Sequence, residues 1–227
     1  MNCWEKKVAL ITDCDDEVGY NVIDKLAKSG MIAIGFAKTD EVLNKSLERF
    51  KELTSKNIDG KVVLYRCDIT ILKQLEAVFV EIIEEHGGVD VLVNNAYCNS
   101  DCLVSTGKLE DFRKVVDINI YGLVACTRLA AKSMIERETR GHIININDLC
   151  AYQVPEDSHK NVFIATKCAI TSVNEILRHE FRYLKANVKV TNIACGKIET
   201  ESHIMLIERM KHYSSLLTFR KHLANHP

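Results

Sequence analysis

Short apolar runs rich in β-branched residues alternate along the chain with longer segments in which apolar residues recur at helical spacing. The first run, KVALIT at 7–12, is typical of a buried parallel strand, and Val18, Val22 and Leu26 then share one helix face. Further strands are predicted at 31–36, 61–66, 89–95, 142–147 and 187–193, and further helices at 40–56, 71–86, 109–136 and 160–184. This alternation predicts an α/β fold, a Rossmann-like doubly wound parallel sheet with helices on both faces in three layers.

The composition is that of an ordinary globular protein. The 227 residues are 47% hydrophobic and 27% charged, and no segment has the character of an interdomain linker, so we expect a single domain over 1–227. The net charge of -1 argues against a nucleic-acid partner recruited by bulk charge. No apolar stretch has membrane-spanning length, and the opening residues are too polar for a signal peptide. We therefore expect a cytoplasmic protein without membrane association.

The nine cysteines are an odd number without paired CxxC motifs, a pattern that favours reduced cytosolic thiols. Four of them follow predicted strands and could meet as a thiol or metal cluster: Cys14, Cys98, Cys150 and Cys195. The alternative, which we favour, is that each is a small apolar side chain. On that interpretation no metal is expected.

Ligands of doubly wound sheets bind beyond the carboxyl ends of the strands, so the residues there carry the functional information. In chain order they are Thr12 to Gly19, Cys67-Asp68, Asn94-Asn95-Ala96, Asn119 within DINIYG, HIININ, Lys167 within ATK, and Gly196 to Thr200. This series resembles the short-chain dehydrogenase/reductases over roughly residues 5–202. The stretches GHIININ and GKIETE resemble the farnesol-dehydrogenase-type branch of that family.

The resemblance implies that the chain binds NADP or NAD and moves a hydride between the nicotinamide and an alcohol or carbonyl. The cofactor contacts that it implies are Thr12, Gly19, Lys38, Asp68, Asn94, Ala96, Lys167 and Thr200. Lys38 lies where NADP-preferring relatives place a basic residue, or else it is simply an exposed lysine. Asp68 matches the residue that hydrogen-bonds the adenine.

Only two of the four catalytic residues implied by the resemblance are present in this sequence. Asn119 and Lys167 match, but the tyrosine position is Phe163 and the serine position is Asp148. A phenyl ring has no proton to exchange, and an ionised carboxylate would repel the negative charge that develops on the substrate oxygen. One alternative is that a desolvated Asp148 serves as the acid. Lys167 is then either a remaining ribose contact or a solvated helix lysine.

The loop that would hold the pyrophosphate has become acidic. Asp13 and Glu17 stand at two glycine positions, so only Gly19 remains of that pattern. Each like-charge contact at ~5 Å costs about 3 kcal/mol at an effective dielectric near 20. The interpretation we favour is a self-capped loop in which Asp15 or Asp16 takes the place of phosphate at the helix N-terminus; a cation site is the other option.

Two further features bear on the site and on partners. Tyr97 replaces a glycine of the NNAG segment, and its side chain either enters the cofactor channel or points to solvent. After a core of 5–200, the tail 201–227 has helical spacing but no seventh strand, so the C-terminal end of the sheet is expected to be truncated. Helices 109–136 and 160–184 correspond to those through which relatives self-associate, so a homo-oligomer is plausible.

Two functions follow from this pattern. The first is a family member that has lost hydride transfer and has a binding or scaffolding role, with a small apolar molecule as its possible ligand. The second is an active NADP(H)-dependent oxidoreductase that acts on a small apolar alcohol or carbonyl through a non-standard site. We favour the first, because the departures affect both the catalytic and the cofactor positions.

Overall fold

A computed structural model describes residues 4–54, 58–156, 161–196 and 198. Contacts divide the chain into two compact units, Met1–Ala194 and Cys195–Pro227, and only 195, 196 and 198 of the second unit are described. The predictions for Thr200 and for the tail 201–227 therefore lie outside the described residues.

The predicted parallel sheet is confirmed. Its strands are β1 (Val8–Thr12), β2 (Ile32–Ala37), β3 (Lys61–Arg66), β4 (Val91–Asn94), β5 (Gly141–Asp148) and β6 (Val188–Cys195). They are arranged in the order β3-β2-β1-β4-β5-β6 as a six-stranded parallel sheet. The order reverses between β1 and β4, which places the loops after these two strands side by side.

Helices alternate with these strands as the spacing predicted. They are α1 (Glu17–Lys28), α2 (Asp40–Thr54), α3 (Leu72–His86), α4 (Leu109–Val116), α5 (Leu123–Glu136) and α6 (Asn161–Tyr183). Within the described part of the chain, none of them is long and apolar enough to cross a membrane.

Two apolar cores lie on opposite faces of the sheet, because successive side chains of a strand point to opposite sides. Val8 and Leu10 of β1 pack into the core that contains residues of α3, α5 and α6. Ala9 and Ile11 pack into the second core, with residues of α1 and α2. This arrangement gives the three layers that the sequence predicts.

The prediction of one unbroken helix over 109–136 is wrong in detail. A π-helical turn, Asp117–Gly122, separates α4 from α5. Such turns insert one extra residue and are frequent at functional sites. Here the turn carries the buried Asn119, whose side chain reaches the loop after β4.

A ladder of buried asparagines crosses the sheet beneath its carboxyl edge. Asn94 and Asn145 are directly opposite each other on β4 and β5, and Asn94 Nδ2 donates to Asn145 Oδ1 over 2.7 Å. Asn145 Nδ2 in turn donates to Asn174 Oδ1 of α6 over 3.1 Å. The ladder ties the two strands to α6 by side-chain hydrogen bonds in a place shielded from water.

We predict that Asn145→Ala lowers the free energy of unfolding by about 3 kcal/mol, because it leaves one of the two N–H groups of Asn94 Nδ2 and the Asn174 Oδ1 acceptor buried without their partner. Urea denaturation followed by circular dichroism measures the loss. Asn21→Ala is the control, because Asn21 is exposed on α1, and it should change stability by less than ~0.5 kcal/mol. Equal losses in both variants would contradict the structural role of the ladder.

Candidate functional site

The loop after β1 is held in a fixed shape by contacts from two sides. Cys14 N–H donates to the carbonyl of Phe36 in β2 over 3.0 Å. Asp13 adopts a left-handed backbone with φ 66°, and its Oδ1 accepts the N–H of Asp15 over 3.1 Å. The loop therefore turns sharply at Asp13 before α1 begins.

The carboxylate of Asp16 caps α1. Its Oδ1 accepts the N–H of Gly19 over 2.6 Å and the side-chain amide of Asn95 over 2.8 Å. The same Asn95 amide donates to the carbonyl of Asp13 over 3.1 Å. The self-capped loop is thus confirmed, with Asp16 as the capping residue and with Asn95 clamping the cap to the loop after β4.

Gly19 is the one glycine kept in this loop, and the packing requires it. A Cβ built at this position would lie 2.0 Å from the Asp13 carbonyl oxygen and 2.9 Å from Asp16 Oδ1. The backbone of the loop therefore lies directly against the first turn of α1, and any side chain at position 19 would force it open.

The carboxylates of the loop do not share one environment. Burial raises the pKa of Asp13, and the nearby charge of Asp16 raises it further. Burial likewise raises the pKa of Asp16, although the hydrogen bonds from Gly19 and Asn95 oppose this. Asp15 is instead paired with Lys45 of α2 over 3.1 Å. The loop thus concentrates negative charge where the resemblance places an anionic cofactor.

We predict that Asp13→Asn stabilises the protein at neutral pH. Because the folded-state pKa of Asp13 lies above its ordinary value of 3.8, ionised Asp13 opposes folding, and this penalty is fully present only above the folded pKa. Asparagine keeps an acceptor for the Asp15 N–H and tolerates the left-handed backbone. Thermal unfolding should show a higher Tm for the variant at pH 7.

The gain should vanish below pH 3.8, where Asp13 is protonated in the wild type as well. Asp59→Asn, at an exposed carboxylate, is the control and should change the Tm little at either pH. A lower Tm for Asp13→Asn at pH 7 would show that the negative charge supports the loop.

Thr12 joins the ends of the two central strands. Its Oγ1 accepts the N–H of Asn95 over 2.9 Å and that of Ala96 over 3.0 Å. Asn94, the last residue of β4, belongs to the buried ladder. The structure therefore brings Thr12, Gly19 and the 94–96 segment together, as expected. Whether they contact a cofactor stays a prediction.

Lys167 is buried among aromatic rings, so the alternative of a solvated helix lysine is wrong. Lys167 is 5% exposed, and its Nζ donates to the Ile146 carbonyl over 3.2 Å. The same Nζ lies 5.4 Å from the ring centroid of Phe163 and 5.5 Å from that of Tyr97. Two ring faces thus take up space beside the ammonium group.

The ring of Tyr97 lies beside Phe163 and Lys167, and whether it enters the cofactor channel stays a prediction. Its ring packs edge-to-face on Phe163, with centroids 6.3 Å apart, while 52% of the residue stays exposed. Burial of the hydroxyl raises the pKa of Tyr97, and the charges of Asp16, Asp13 and Asp148 add to this effect. The phenol of Tyr97 is therefore harder to ionise than that of an ordinary tyrosine.

Both side-chain amide atoms of Asn119 form hydrogen bonds within the protein. Its Oδ1 accepts the N–H of Cys98 over 2.7 Å, and its Nδ2 donates to the Cys98 carbonyl over 3.0 Å. The same Nδ2 donates to Thr166 Oγ1 over 2.9 Å. Asn119 thus fastens the loop after β4 to α6.

Asp148 closes the end of β5. Its Oδ1 accepts the N–H of Cys150 over 2.8 Å and so caps a short 3₁₀ turn, Leu149–Ala151. A carboxyl oxygen can accept from a backbone N–H in either protonation state, so this contact does not distinguish the two states. The alternative that Asp148 serves as the acid stays a prediction.

Lys38 and Asp68 pair with each other, with Lys38 Nζ 3.4 Å from Asp68 Oδ2. Asp68 Oδ1 accepts both the N–H and the hydroxyl of Thr70, over 3.0 and 2.7 Å. Burial acts to raise the pKa of Asp68, but the Thr70 hydrogen bonds and the Lys38 charge outweigh it and lower the pKa. The proposed nucleotide contacts of both residues remain predictions.

The cysteines do not form the cluster that the strand ends allowed. Cys14 packs in the core beneath α1, where burial raises the pKa of its thiol to about 11. Cys98 and Cys150 pack instead around Phe163. Across the ranges 4–54, 58–156, 161–196 and 198, no three His, Cys, Asp or Glu side chains are grouped as a metal ion requires.

Comparison with known proteins shows which family this geometry belongs to. The sequence profile of a family described as short chain dehydrogenase matches residues 7–210. Farnesol dehydrogenase of Aedes aegypti is 33% identical over 202 residues, covering 88% of this chain and 81% of the relative. Dehydrogenase/reductase SDR family member 11 of Bos taurus is 33% identical over 203 residues, covering 88% and 78%. The chain belongs to the short-chain dehydrogenase/reductase family.

Solved structures of this family share the fold. A short-chain dehydrogenase/reductase from Burkholderia phymatum in complex with NAD superposes with a TM-score of 0.79 at 22% identity, covering 87% of this chain and 68% of that one. An NAD⁺-bound xylitol dehydrogenase also gives 0.79 at 21% identity, covering 89% and 74%.

A dinucleotide does not fit the residues of this chain as they stand. The Gly19 N–H, a donor that a pyrophosphate would use at the start of α1, is already bonded to Asp16 Oδ1. The ring of Tyr97 lies beside Lys167, the residue that the family would use to hold the ribose. A bound dinucleotide would have to displace one or both side chains.

Sequence reasoning missed three functional features. They are the Asn95 clamp, the aromatic rings around Lys167, and the hydrogen bonds that both amide atoms of Asn119 make within the protein. Each depends on a contact between residues that are not neighbours along a strand or loop, such as Asn119 with Thr166 of α6 or Asn95 with Asp16. The NNAG-like segment did place Asn95 opposite the acidic loop, and this was the only available signal for the clamp.

Proposed function

We propose that this chain keeps the family fold but has lost hydride transfer, and that it acts by binding or scaffolding. The observation that carries the proposal is Phe163, which occupies the position of the family's proton-donating tyrosine. The residue is 5% exposed and packs with Cys150 and Ile164. Its ring can neither donate a proton to an alkoxide nor accept one from an alcohol.

Tyr97, the phenol that packs on Phe163, is a poor replacement proton donor. Burial of its hydroxyl raises the pKa of Tyr97, and the charges of Asp16, Asp13 and Asp148 add to this effect. A phenol with a raised pKa is a weaker acid than an ordinary tyrosine, whereas the family's lysine lowers the pKa of its partner. Acid–base assistance of roughly 10²–10⁴-fold is therefore lost.

Exposed apolar side chains after β5 support the proposal that the ligand is a small apolar molecule. Leu149, Tyr152 and Val154 follow β5 and are 51%, 59% and 69% exposed, on the same carboxyl edge of the sheet as Tyr97. The Tyr152 hydroxyl accepts from Asn192 Nδ2 over 2.8 Å, which holds this aromatic residue over β6. Exposed apolar residues that gather at one edge are typical of ligand or partner contacts.

The second candidate function is an NADP(H)-dependent oxidoreductase that acts on a small apolar alcohol or carbonyl. It is favoured by Lys167 and Asn119, which keep the family's catalytic positions on adjoining elements. The likeness to the Aedes aegypti farnesol dehydrogenase suggests farnesol-like molecules for this alternative. The odd number of cysteines without paired CxxC motifs supports the proposal of a reducing, cytoplasmic location.

We predict that the wild-type protein does not oxidise NADPH or NADH with farnesal or with a panel of apolar aldehydes and ketones. Absorbance at the reduced-nicotinamide band, followed at high enzyme concentration, measures the rate. Lys167→Met is the matched control, since it keeps the length of the buried side chain and removes its charge. Saturable turnover in the wild type that Lys167→Met abolishes would establish the oxidoreductase instead.

Self-association is proposed through α5 and α6. A groove of about 550 Å³ between them is lined by apolar residues such as Val124, Val173 and Leu177. Arg128 and Glu180 also line the groove, so a two-fold contact between copies could pair the arginine of one with the glutamate of the other. Ile176 on α6 adds a large apolar side chain that is 61% exposed.

We predict that Ile176→Glu shifts a dimer towards the monomer, because it places a charge in an apolar contact. Sedimentation velocity across a range of protein concentrations measures the shift. Ile83→Glu, at a 46% exposed site on α3, is the control and should leave the assembly unchanged. A wild type that stays monomeric at every concentration would refute self-association.

A further inference from the structure

We propose that the dinucleotide cleft is masked by two of the chain's own side chains, Asp16 and Tyr97, and is not dismantled. The inference concerns cofactor binding alone and is separate from the lost proton donor. It treats the contact of Asp16 with α1 as autoinhibitory: the carboxylate occupies donors that would otherwise be free for an anion.

The contact made by Asp16 is a side-chain contact on an intact backbone. A single oxygen, Oδ1, accepts from both Gly19 N and Asn95 Nδ2. Removing the carboxylate would free one backbone donor at the first turn of α1 and one buried amide donor on the neighbouring loop. Two N–H groups that converge on one oxygen are suited to an external oxyanion as well.

The scaffold around these donors keeps its shape by bonds that do not involve Asp16. Thr12 Oγ1 holds the N–H groups of Asn95 and Ala96, and Cys14 N–H is bonded to β2. Asn119 fastens the loop after β4 to α6 independently. The strand ends are therefore expected to stay in place when the carboxylate is removed.

Positive charge is already present beside the loop. Lys45 Nζ lies 3.1 Å from Asp15 Oδ1, and Arg49 Nη1 donates to the Asp15 carbonyl over 3.1 Å. Arg49 also stacks on Tyr20, with its guanidinium carbon 3.8 Å from the ring centroid. Lys45 offsets the Asp15 carboxylate, whereas Asp16 is placed on the donors themselves, so Asp16 is the carboxylate that blocks an incoming anion.

Tyr97 is the second mask because its ring lies beside Lys167, the residue that the family uses to hold the ribose. Its ring is 5.5 Å from Lys167 Nζ and packs on Phe163. It follows the clamp residue Asn95 by two positions, so both masks are attached to the loops at the reversal of strand order. Glycine at position 97 would uncover Lys167 without changing the buried ladder.

The test compares NAD⁺ binding by folded variants, using isothermal titration calorimetry and thermal shift. Asp16→Gly/Tyr97→Gly removes both masks, and glycine remains acceptable at the start of a helix. We expect it to bind NAD⁺ saturably, at least about tenfold more tightly than the wild type, and to gain thermal stability from it. Asp16→Ala/Tyr97→Gly also removes the acceptor from the Gly19 N–H and provides a second variant for the same comparison.

The matched control is Asp15→Asn/Tyr97→Gly, which removes one negative charge from the same loop but leaves Asp16 on Gly19. It should bind NAD⁺ no better than the wild type. Equal binding by this control and by the Asp16 variants would show that bulk loop charge, and not the Asp16 contact, is responsible, and would overturn the proposal.

Two other results would also overturn it. If both Asp16 variants fold but fail to bind NAD⁺, the cleft is dismantled. If the wild type binds NAD⁺ as tightly as they do, nothing is masked. These readouts need no turnover, so their failure is distinguishable from failure of the proposed loss of hydride transfer, which rests on the activity assay.

Discussion

The contact between the Asp16 carboxylate and the first turn of α1 determines what the site of this protein can do. A helix N-terminus presents unpaired N–H groups and the positive end of a dipole, so it requires an acceptor. In a dinucleotide-binding fold the ligand can meet that requirement. Here Asp16 meets it within the chain, and Asn95 links the same oxygen to the neighbouring strand. The capped helix therefore has its acceptor without a cofactor.

The other departures from the family pattern are consistent with that contact. Once an internal carboxylate has replaced an external anion, further acids in the loop no longer repel a ligand. Asp15 is paired with Lys45, while Asp13 lies in a left-handed turn where burial and the Asp16 charge raise its pKa. On the far side of the cleft the Lys167 ammonium lies beside the rings of Tyr97 and Phe163 and bonds to the Ile146 carbonyl. Both of the groups that would bind the cofactor thus have partners within the chain.

The fold could be predicted from sequence because its determinants are local. Buried strands and amphipathic helices follow from the spacing of apolar residues, and the departures at 148 and 163 are visible once the strand ends are aligned. The interior of the site could not be predicted in the same way. The π-helical turn depends on where Asn119 finds partners, and the burial of Lys167 depends on rings from two other segments. The ladder of Asn94, Asn145 and Asn174 joins residues far apart in the chain, so no periodicity reveals it.

The most direct measurement of the central claim is the backbone amide resonance of Gly19 in the wild-type protein, followed by NMR while NAD⁺ is added. A short hydrogen bond to a carboxylate moves an amide proton strongly downfield. The account predicts that the Gly19 resonance lies far downfield and stays there, unmoved, up to millimolar NAD⁺. A resonance that shifts progressively and saturates with NAD⁺ would show that the dinucleotide reaches this donor, and would contradict the account.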